Sequence, residues 1–204
     1  MNSDYEKRAL VDTNIIKWQE TKTKNVFKKI LAIKEDEETA FIKLEKNTIL
    51  NDTNNINSVE IFVIEGIYCN EYGKHPAGTY LRLPKENEAL VKADEACVVF
   101  RKTNFFNDKN QVILNTNSIQ WLLGQGNLEV KPLHEQTALV KWPKNERFMP
   151  HKHWGGEEVL VLQGVFIDQY GEYPKGTWIR SPHLSEHFPY VEEETIILVK
   201  TGHM

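Results

Sequence analysis

Gly164-Val165-Phe166-Ile167-Asp168-Gln169-Tyr170-Gly171-Glu172-Tyr173-Pro174-Lys175-Gly176-Thr177-Trp178-Ile179-Arg180-Ser181-Pro182 repeats, at an offset of 98 residues, the punctuation of an earlier stretch from Gly66 to Pro84. Gly66, Gly73, Pro76, Gly78, Thr79, Arg82 and Pro84 stand opposite Gly164, Gly171, Pro174, Gly176, Thr177, Arg180 and Pro182. The register holds outward in both directions. Thr39-Ala40 lies over Thr137-Ala138, Lys46-Asn47 over Lys144-Asn145, and Cys97 to Phe100 over Thr195 to Leu198. Trp18 and Trp121 open the two copies, followed by a small insertion. Self-similarity at a fixed period marks a duplicated structural unit, here of about 100 residues. The copies are expected to divide into units 1–105 and 106–204, joined where Asn, Asp and Lys gather between Lys102 and Asn115.

Within a copy the pattern is that of strands. The aliphatic run Glu158 to Gln163 stops at Gly164, Val165 to Asp168 follows, and Gly171 to Gly176 carries the glycine and proline chemistry of turns. Short strands broken every few residues predict an all-β fold, two similar β-barrels, with one fused larger sheet as the alternative. Helical spacing shows only at Met1 to Leu10 and Asn25 to Leu31.

Composition narrows the function. With 25 Lys and Arg against 29 Asp and Glu, the formal net charge is −4. No stretch is dense in Lys or Arg, which disfavours nucleic acid and anionic membranes, since both need a clustered basic face. There is no apolar run long enough to span a bilayer and no signal-peptide pattern at the start, so a cytoplasmic location is expected. Cys69 and Cys97 stand apart without a C-x-x-C pattern, which predicts reduced, half-buried thiols and no thiolate zinc site.

The repeat also separates scaffold from chemistry. Residues present in both copies serve the shared scaffold; residues confined to one copy are candidates for function. On this test the glycines, the prolines and the Arg82/Arg180 pair are structural, the arginines as buried or strand-end ion pairs, with an anionic ligand as the alternative. The second copy alone contains His151-Lys152-His153-Trp154-Gly155-Gly156-Glu157, where the first has Thr53, Asn55 and Val59 at the ligand positions. On a strand His151 and His153 project to the same face, and a turn at Gly155-Gly156 can return the Glu157 carboxylate to the same point. His187, opposite Ala89, supplies a fourth donor, in competition with His183 of the same loop. Three imidazoles and a carboxylate suit one divalent ion per chain, zinc first, with iron, manganese and nickel as alternatives. His75, His134, His183 and His203 have no partner at ligand spacing and are expected on the surface or in turns.

These residues resemble the cupin superfamily. Its first motif, G-x5-H-x-H-x3/4-E-x6-G, is matched by His151-x-His153-x3-Glu157-x6-Gly164, with Asn145 in place of the leading glycine. The second motif is met by Pro174-x-Gly176, but its histidine slot falls on Ile179. The chain is similar instead to ChrR-type anti-sigma factors, whose last histidine comes later, in a stretch like Arg180 to Pro189 with His187. The resemblance implies jelly-roll barrels and a metal held by His151, His153, Glu157 and His187 in the second one. In ChrR-type proteins this domain follows an amino-terminal zinc domain that grips the sigma factor. No cysteine and histidine cluster precedes the first copy here, which leaves a sigma-factor contact without its carrier. Two function classes follow. One is a binding or sensing module whose ion is saturated by four protein ligands. The other is an iron-dependent dioxygenase acting on a small diketone or aromatic ketone, with Phe148, Trp154, Trp178 and Phe188 forming an apolar pocket; the simpler reading of these aromatics is core, favoured for Trp178 because it faces Tyr80 in the register. Whether the protein is an enzyme is open at this point, as are a small-molecule ligand and a homodimer.

Overall fold

A computed structural model describes residues 1–50, 58–84 and 91–204. The strands, in chain order, begin with β1 (Ala9–Asp12). Then come β2 (Gln19–Glu20), β3 (Val26–Lys34), β4 (Glu37–Leu44), β5 (Thr48–Leu50), β6 (Ser58–Asn70), β7 (Gly73–Pro76), β8 (Thr79–Pro84), β9 (Val91–Ala93), β10 (Cys97–Thr103) and β11 (Val112–Asn115). They are followed by β12 (Leu122–Leu123), β13 (Glu129–His134), β14 (Thr137–Trp142), β15 (His151–Lys152), β16 (Glu157–Gln163), β17 (Val165–Asp168), β18 (Gly171–Pro174), β19 (Thr177–Ser181), β20 (Glu186–His187) and β21 (Thr195–Thr201). Among the described residues the one helical turn is a 3-10 segment at Thr116–Ser118. The fold is all-β, of jelly-roll type, and the duplication is visible strand for strand. The main sheet of the first unit runs β11-β8-β6-β10-β4-β3-β2 and that of the second β1-β19-β16-β21-β14-β13-β12.

The matching orders show how the copies are cut. One compact unit comprises Met1–Ser3 and Lys17–Ile119, the other Asp4–Ile16 and Gln120–Met204. A simple division after residue 105 therefore differs from the observed units at both edges. Each copy gives its leading strand to the other unit: β1 pairs with β19, and β11 with β8. The strand ends are anchored by the same bonds. Thr13 Oγ1 donates to Gly176 O at 2.7 Å and Thr116 Oγ1 to Gly78 O at 2.6 Å. Asn14 Nδ2 donates to Lys175 O at 2.8 Å and Asn117 Nδ2 to Ala77 O at 2.9 Å.

The two segments with helical spacing are corrected by the sheet. Ala9 to Asp12 is β1, and Val26 to Lys34 is β3, paired along its length with β4. A bulge between Ile30 and Ala32 turns Leu31 and Ala32 both inward, breaking the two-residue alternation that identifies a strand. Pairing of β3 with β4 on one side and β2 on the other outweighs the weak local pattern.

Each unit has its own core. Ile42, Leu44, Ile61, Val63, Leu81 and Val99 fill the first, Trp142, Val159, Val161, Phe166, Ile179 and Ile197 the second. Each such side chain contributes roughly 1.5–3 kcal/mol on full burial. Scaffold pairs recur in register: the Tyr80 hydroxyl donates to Glu60, and Trp178 Nε1 donates to Glu158 Oε1 at 2.8 Å. Arg82 is bound by protein, its guanidinium forked onto the Asp108 carboxylate at 2.7 and 2.5 Å, as expected for a structural arginine. Arg180 reaches Asp4 O at 3.0 Å and lies over the Tyr5 ring. Cys69 and Cys97 are free and fully buried rather than half-buried. Burial, with the neighbouring Cys69, pushes the Cys97 thiol up to about 12.

Candidate metal centre

Two short strands carry the histidines. In the ribbon β15–β20, His151 stands directly opposite His187 and Lys152 opposite Glu186, so the first two imidazoles are cross-strand neighbours. His153, two residues further on the same face, is tied to the other arm of the ribbon by its backbone N–H to Ser185 O at 3.2 Å. The chain then turns through Gly155 and Gly156, both at φ +72°. A Cβ at Gly156 would stand 2.8 Å from Ser181 O, and one at Gly155 2.6 Å from Gly202 Cα. Glycine is thus required twice, for the left-handed backbone and for the close approach. The turn delivers Glu157 to the start of β16, buried and aimed back at the ribbon. Asn145, in the position of the motif's leading glycine, adopts φ +64°, a conformation asparagine tolerates better than most side chains.

Three imidazole nitrogens form one cluster, and a carboxylate stands beside two of them. His153 Nε2 is 3.0 Å from His187 Nε2, which is 3.3 Å from His151 Nε2. Glu157 Oε1 lies 3.5 Å from His153 Nε2 and Oε2 3.7 Å from His187 Nε2. Donors held at about 2.0–2.1 Å around a four-coordinate ion are about 3.3–3.4 Å from one another. The two imidazole edges of 3.0 and 3.3 Å are within a few tenths of an ångström of that, so the three histidines are compatible with a divalent ion, and the Glu157 carboxylate stands beside two of them. The tautomers fit as well. His151 Nδ1 is 2.9 Å from Met149 O, an atom that can only accept, so the ring proton sits on Nδ1 and the Nε2 lone pair faces the cluster. His187 Nδ1 faces Asp168 Oδ2 at 3.7 Å, a position from which a proton on Nδ1 would leave Nε2 free for the cluster.

Burial disfavours the charged form of two of the imidazoles. Burial, and then His187 and His151, drives His153 down to about 3. Burial lowers His151 too. Burial raises the Glu157 carboxyl, against the pull of His187 and Arg8. At Asp168 burial works upward, but hydrogen bonds from His187, Tyr173 and the Tyr170 N–H, with the Arg8 charge, outweigh it and hold the carboxyl below its usual range.

His151, His153 and His187 are thus brought together, with Glu157 beside the last two, and of the two loop histidines His187 is the one in the cluster. His183 is exposed, accepts the Gly155 N–H on Nδ1 at 2.8 Å and stacks edgewise on Trp154. Of the expected pocket aromatics, Phe148 packs against the His151 ring, and Trp154 and Phe188 are exposed on the ribbon. Trp178 is core, as its match to Tyr80 in the register favours, wholly inside and bonded to Glu158. Two histidines expected at the surface or in turns are also corrected. His75 is buried on Asn70 Oδ1 at 2.8 Å, and His203 approaches Glu158 Oε2 at 3.1 Å. In the first unit, Thr53, Asn55 and Ala89 lie outside the described residues. Val59, at the position of Glu157, packs against the apolar core.

Asp168, Tyr173 and Arg8 were not found by sequence reasoning. A signal existed: at the offset of 98, Asn70 and His75 replace Asp168 and Tyr173, so this pair too is confined to the second copy.

Jelly-roll barrels with histidines from two facing strands directed at one point define a cupin-type protein with a cluster compatible with a metal. The family model of the ChrR cupin-like domain matches residues 6–107 and again 109–204. The chain belongs to that family and carries its domain twice. Both matches start ahead of the exchanged strands, as the duplication requires. No curated protein matches the chain by sequence. Among solved structures it is similar to a candidate dioxygenase from Nostoc punctiforme, with TM-score 0.80, 12% identity and coverage of 96% of this chain and 82% of that one. It is also similar to a glyoxylate-induced-type protein from Pseudomonas aeruginosa, with TM-score 0.79, 12% identity and coverage of 97% and 90%. A pirin from Escherichia coli in complex with nickel(II) follows, with TM-score 0.66, 9% identity and coverage of 96% and 98%. At these identities the likeness establishes the fold alone. No helix among the described residues is long and apolar enough to cross a membrane.

Proposed function

We propose that the second barrel is a metal-binding module holding one divalent ion, zinc in the first place, through His151, His153, Glu157 and His187, with a binding or sensing role. The observation that carries this reading is the cluster of three imidazoles, with Nε2 edges of 3.0 and 3.3 Å, and the Glu157 carboxylate at 3.5 and 3.7 Å from two of them; the His151 ring has its proton directed outward. Four protein ligands complete a tetrahedral zinc shell, the usual condition of a non-catalytic site. A signal acts on such a module by displacing or altering one ligand.

A second reading, an iron-dependent dioxygenase, is favoured by one feature: His151 and His153 are only partly covered, so the cluster has a solvent-facing side flanked by the exposed Trp154 and Phe188. When bound, iron would supply redox chemistry, and this chain's part would be to hold the substrate against those rings. Elemental analysis of untagged protein purified in parallel with and without oxygen separates the readings. One equivalent of zinc in both preparations supports the module. One equivalent of iron, retained only without oxygen and accompanied by oxygen uptake with diketones, supports the enzyme.

A further inference from the structure

Arg8 lies outside the duplicated motif and far from the ligands in sequence, yet it reaches their support. Its Nη2 donates to the Tyr173 hydroxyl at 2.6 Å and stands 3.4 Å from Asp168 Oδ2. The guanidinium also covers the rings of Tyr170 and Tyr173, at 4.9 and 5.2 Å. The Tyr173 hydroxyl in turn donates to Asp168 Oδ1 at 2.6 Å, and the Tyr170 N–H to the same oxygen at 2.7 Å. With Oδ1 taken by two donors, Oδ2 is left facing Arg8 and His187 Nδ1.

We infer that Arg8 is a positioning residue of the metal centre: carried in by the exchanged amino-terminal strand, it orients Tyr173 and Asp168, and through Asp168 it fixes the His187 ring with Nε2 toward the ion. The inference rests on the metal-binding reading above. The duplication supports it independently of any single distance. Where the second unit has Asp168 and Tyr173, the first has Asn70 and His75, joined to each other at 2.8 Å as a neutral pair. Aligning β11 on β1 sets Gln111 at the position of Arg8. The arginine, the carboxylate and the hydroxyl are thus found in the unit that has the four proposed donors and are all replaced in the unit that lacks them. A role in the shared scaffold would have kept them in both. A metal-bound histidine commonly gives its outer N–H to a carboxylate, and loss of such a partner lowers metal affinity roughly 10–100-fold.

The test is a double-mutant cycle on zinc affinity, measured by competition with a chromophoric chelator on the full chain. Arg8→Gln, which installs the first unit's residue, is expected to weaken zinc binding roughly 10–100-fold while keeping one equivalent per chain. Arg8→Lys should recover most of the loss. Asp168→Asn should weaken binding to a similar degree, and adding Arg8→Gln to it should cost nothing further. A structural role would instead give losses that add. If Arg8→Gln does not fold, Tyr173→Phe, which keeps the ring and removes the bridging hydroxyl, carries the same cycle. Wild-type affinity in Arg8→Gln, or an undiminished effect of that change in the Asp168→Asn background, overturns the positioning role alone. Failure of the wild-type protein to take up zinc overturns the metal reading and this inference with it.

Discussion

Replacing His187 by Ala should abolish tight metal binding, whereas the same change at His183, four residues earlier in the same loop, should leave it intact. His187 is buried, with Nε2 3.0 Å from His153 Nε2 and 3.3 Å from His151 Nε2, and Asp168 behind it. Loss of an outer partner alone is worth about 10–100-fold in affinity, so loss of a direct donor must exceed the upper end. That is more than about 2.7 kcal/mol at 1.36 kcal/mol per tenfold. His183 is exposed, and its one hydrogen bond with the site loop is from the Gly155 N–H. Its removal costs about 0.5–1.5 kcal/mol of loop order. Most of that is felt equally by the metal-free and metal-bound forms, leaving zinc affinity within about threefold of wild type. Competition against a chelator of known affinity, with stoichiometry checked by elemental analysis, reads both variants. Equal losses, or a greater loss in His183→Ala, would refute the ligand assignment and the geometry behind it.

Three further outcomes are expected. Glu157→Gln should weaken zinc binding at least tenfold and leave the metal-free protein as stable as wild type or more so, because it removes a carboxylate whose burial opposes its charge; lower stability of the metal-free variant in urea would contradict this. Metal-free protein should lose stability as pH falls below about 6.5. There the unfolded chain takes up protons that His153 and His151 refuse when folded. Glu157, raised by burial, acts in the opposite sense and blunts the trend. With both rings partly solvated the net slope should stay below about 1 kcal/mol per pH unit, and a urea midpoint at pH 5 above that at pH 7.5 would refute it. Thr13→Val and Thr116→Val should each cost about 1 kcal/mol, since each removes the same side-chain bond anchoring an exchanged strand; a cost at one site and none at the other would break the equivalence of the two strands.

The chain's repetition made the fold legible. Glycines and prolines recurring at one offset sit at the turns of both sheets, and the residues differing between copies included the donors. Three of the four donors lie within Glu157 and the six residues before it, where strand alternation and two glycines suffice to bring them together. The distant parts were harder. His187 joins through cross-strand pairing that no local pattern specifies, and its competitor differs from it in burial, not in type. Arg8 arrives by strand exchange. That exchange is written in Asp12-Thr13-Asn14 and Asn115-Thr116-Asn117, which share an offset different from 98 because the stretch after Trp18 is longer than the one after Trp121. The strand at Val26 was hidden by a bulge that set two buried residues side by side.

A single ion held by four side chains of the second unit would be seen by anomalous diffraction at the zinc edge, from crystals of protein loaded with one equivalent of zinc. One peak per chain is expected, about 2.0–2.1 Å from Nε2 of His151, His153 and His187 and from one oxygen of Glu157. A peak in the first unit, or a ligand set that omits Glu157 or His187, would contradict it.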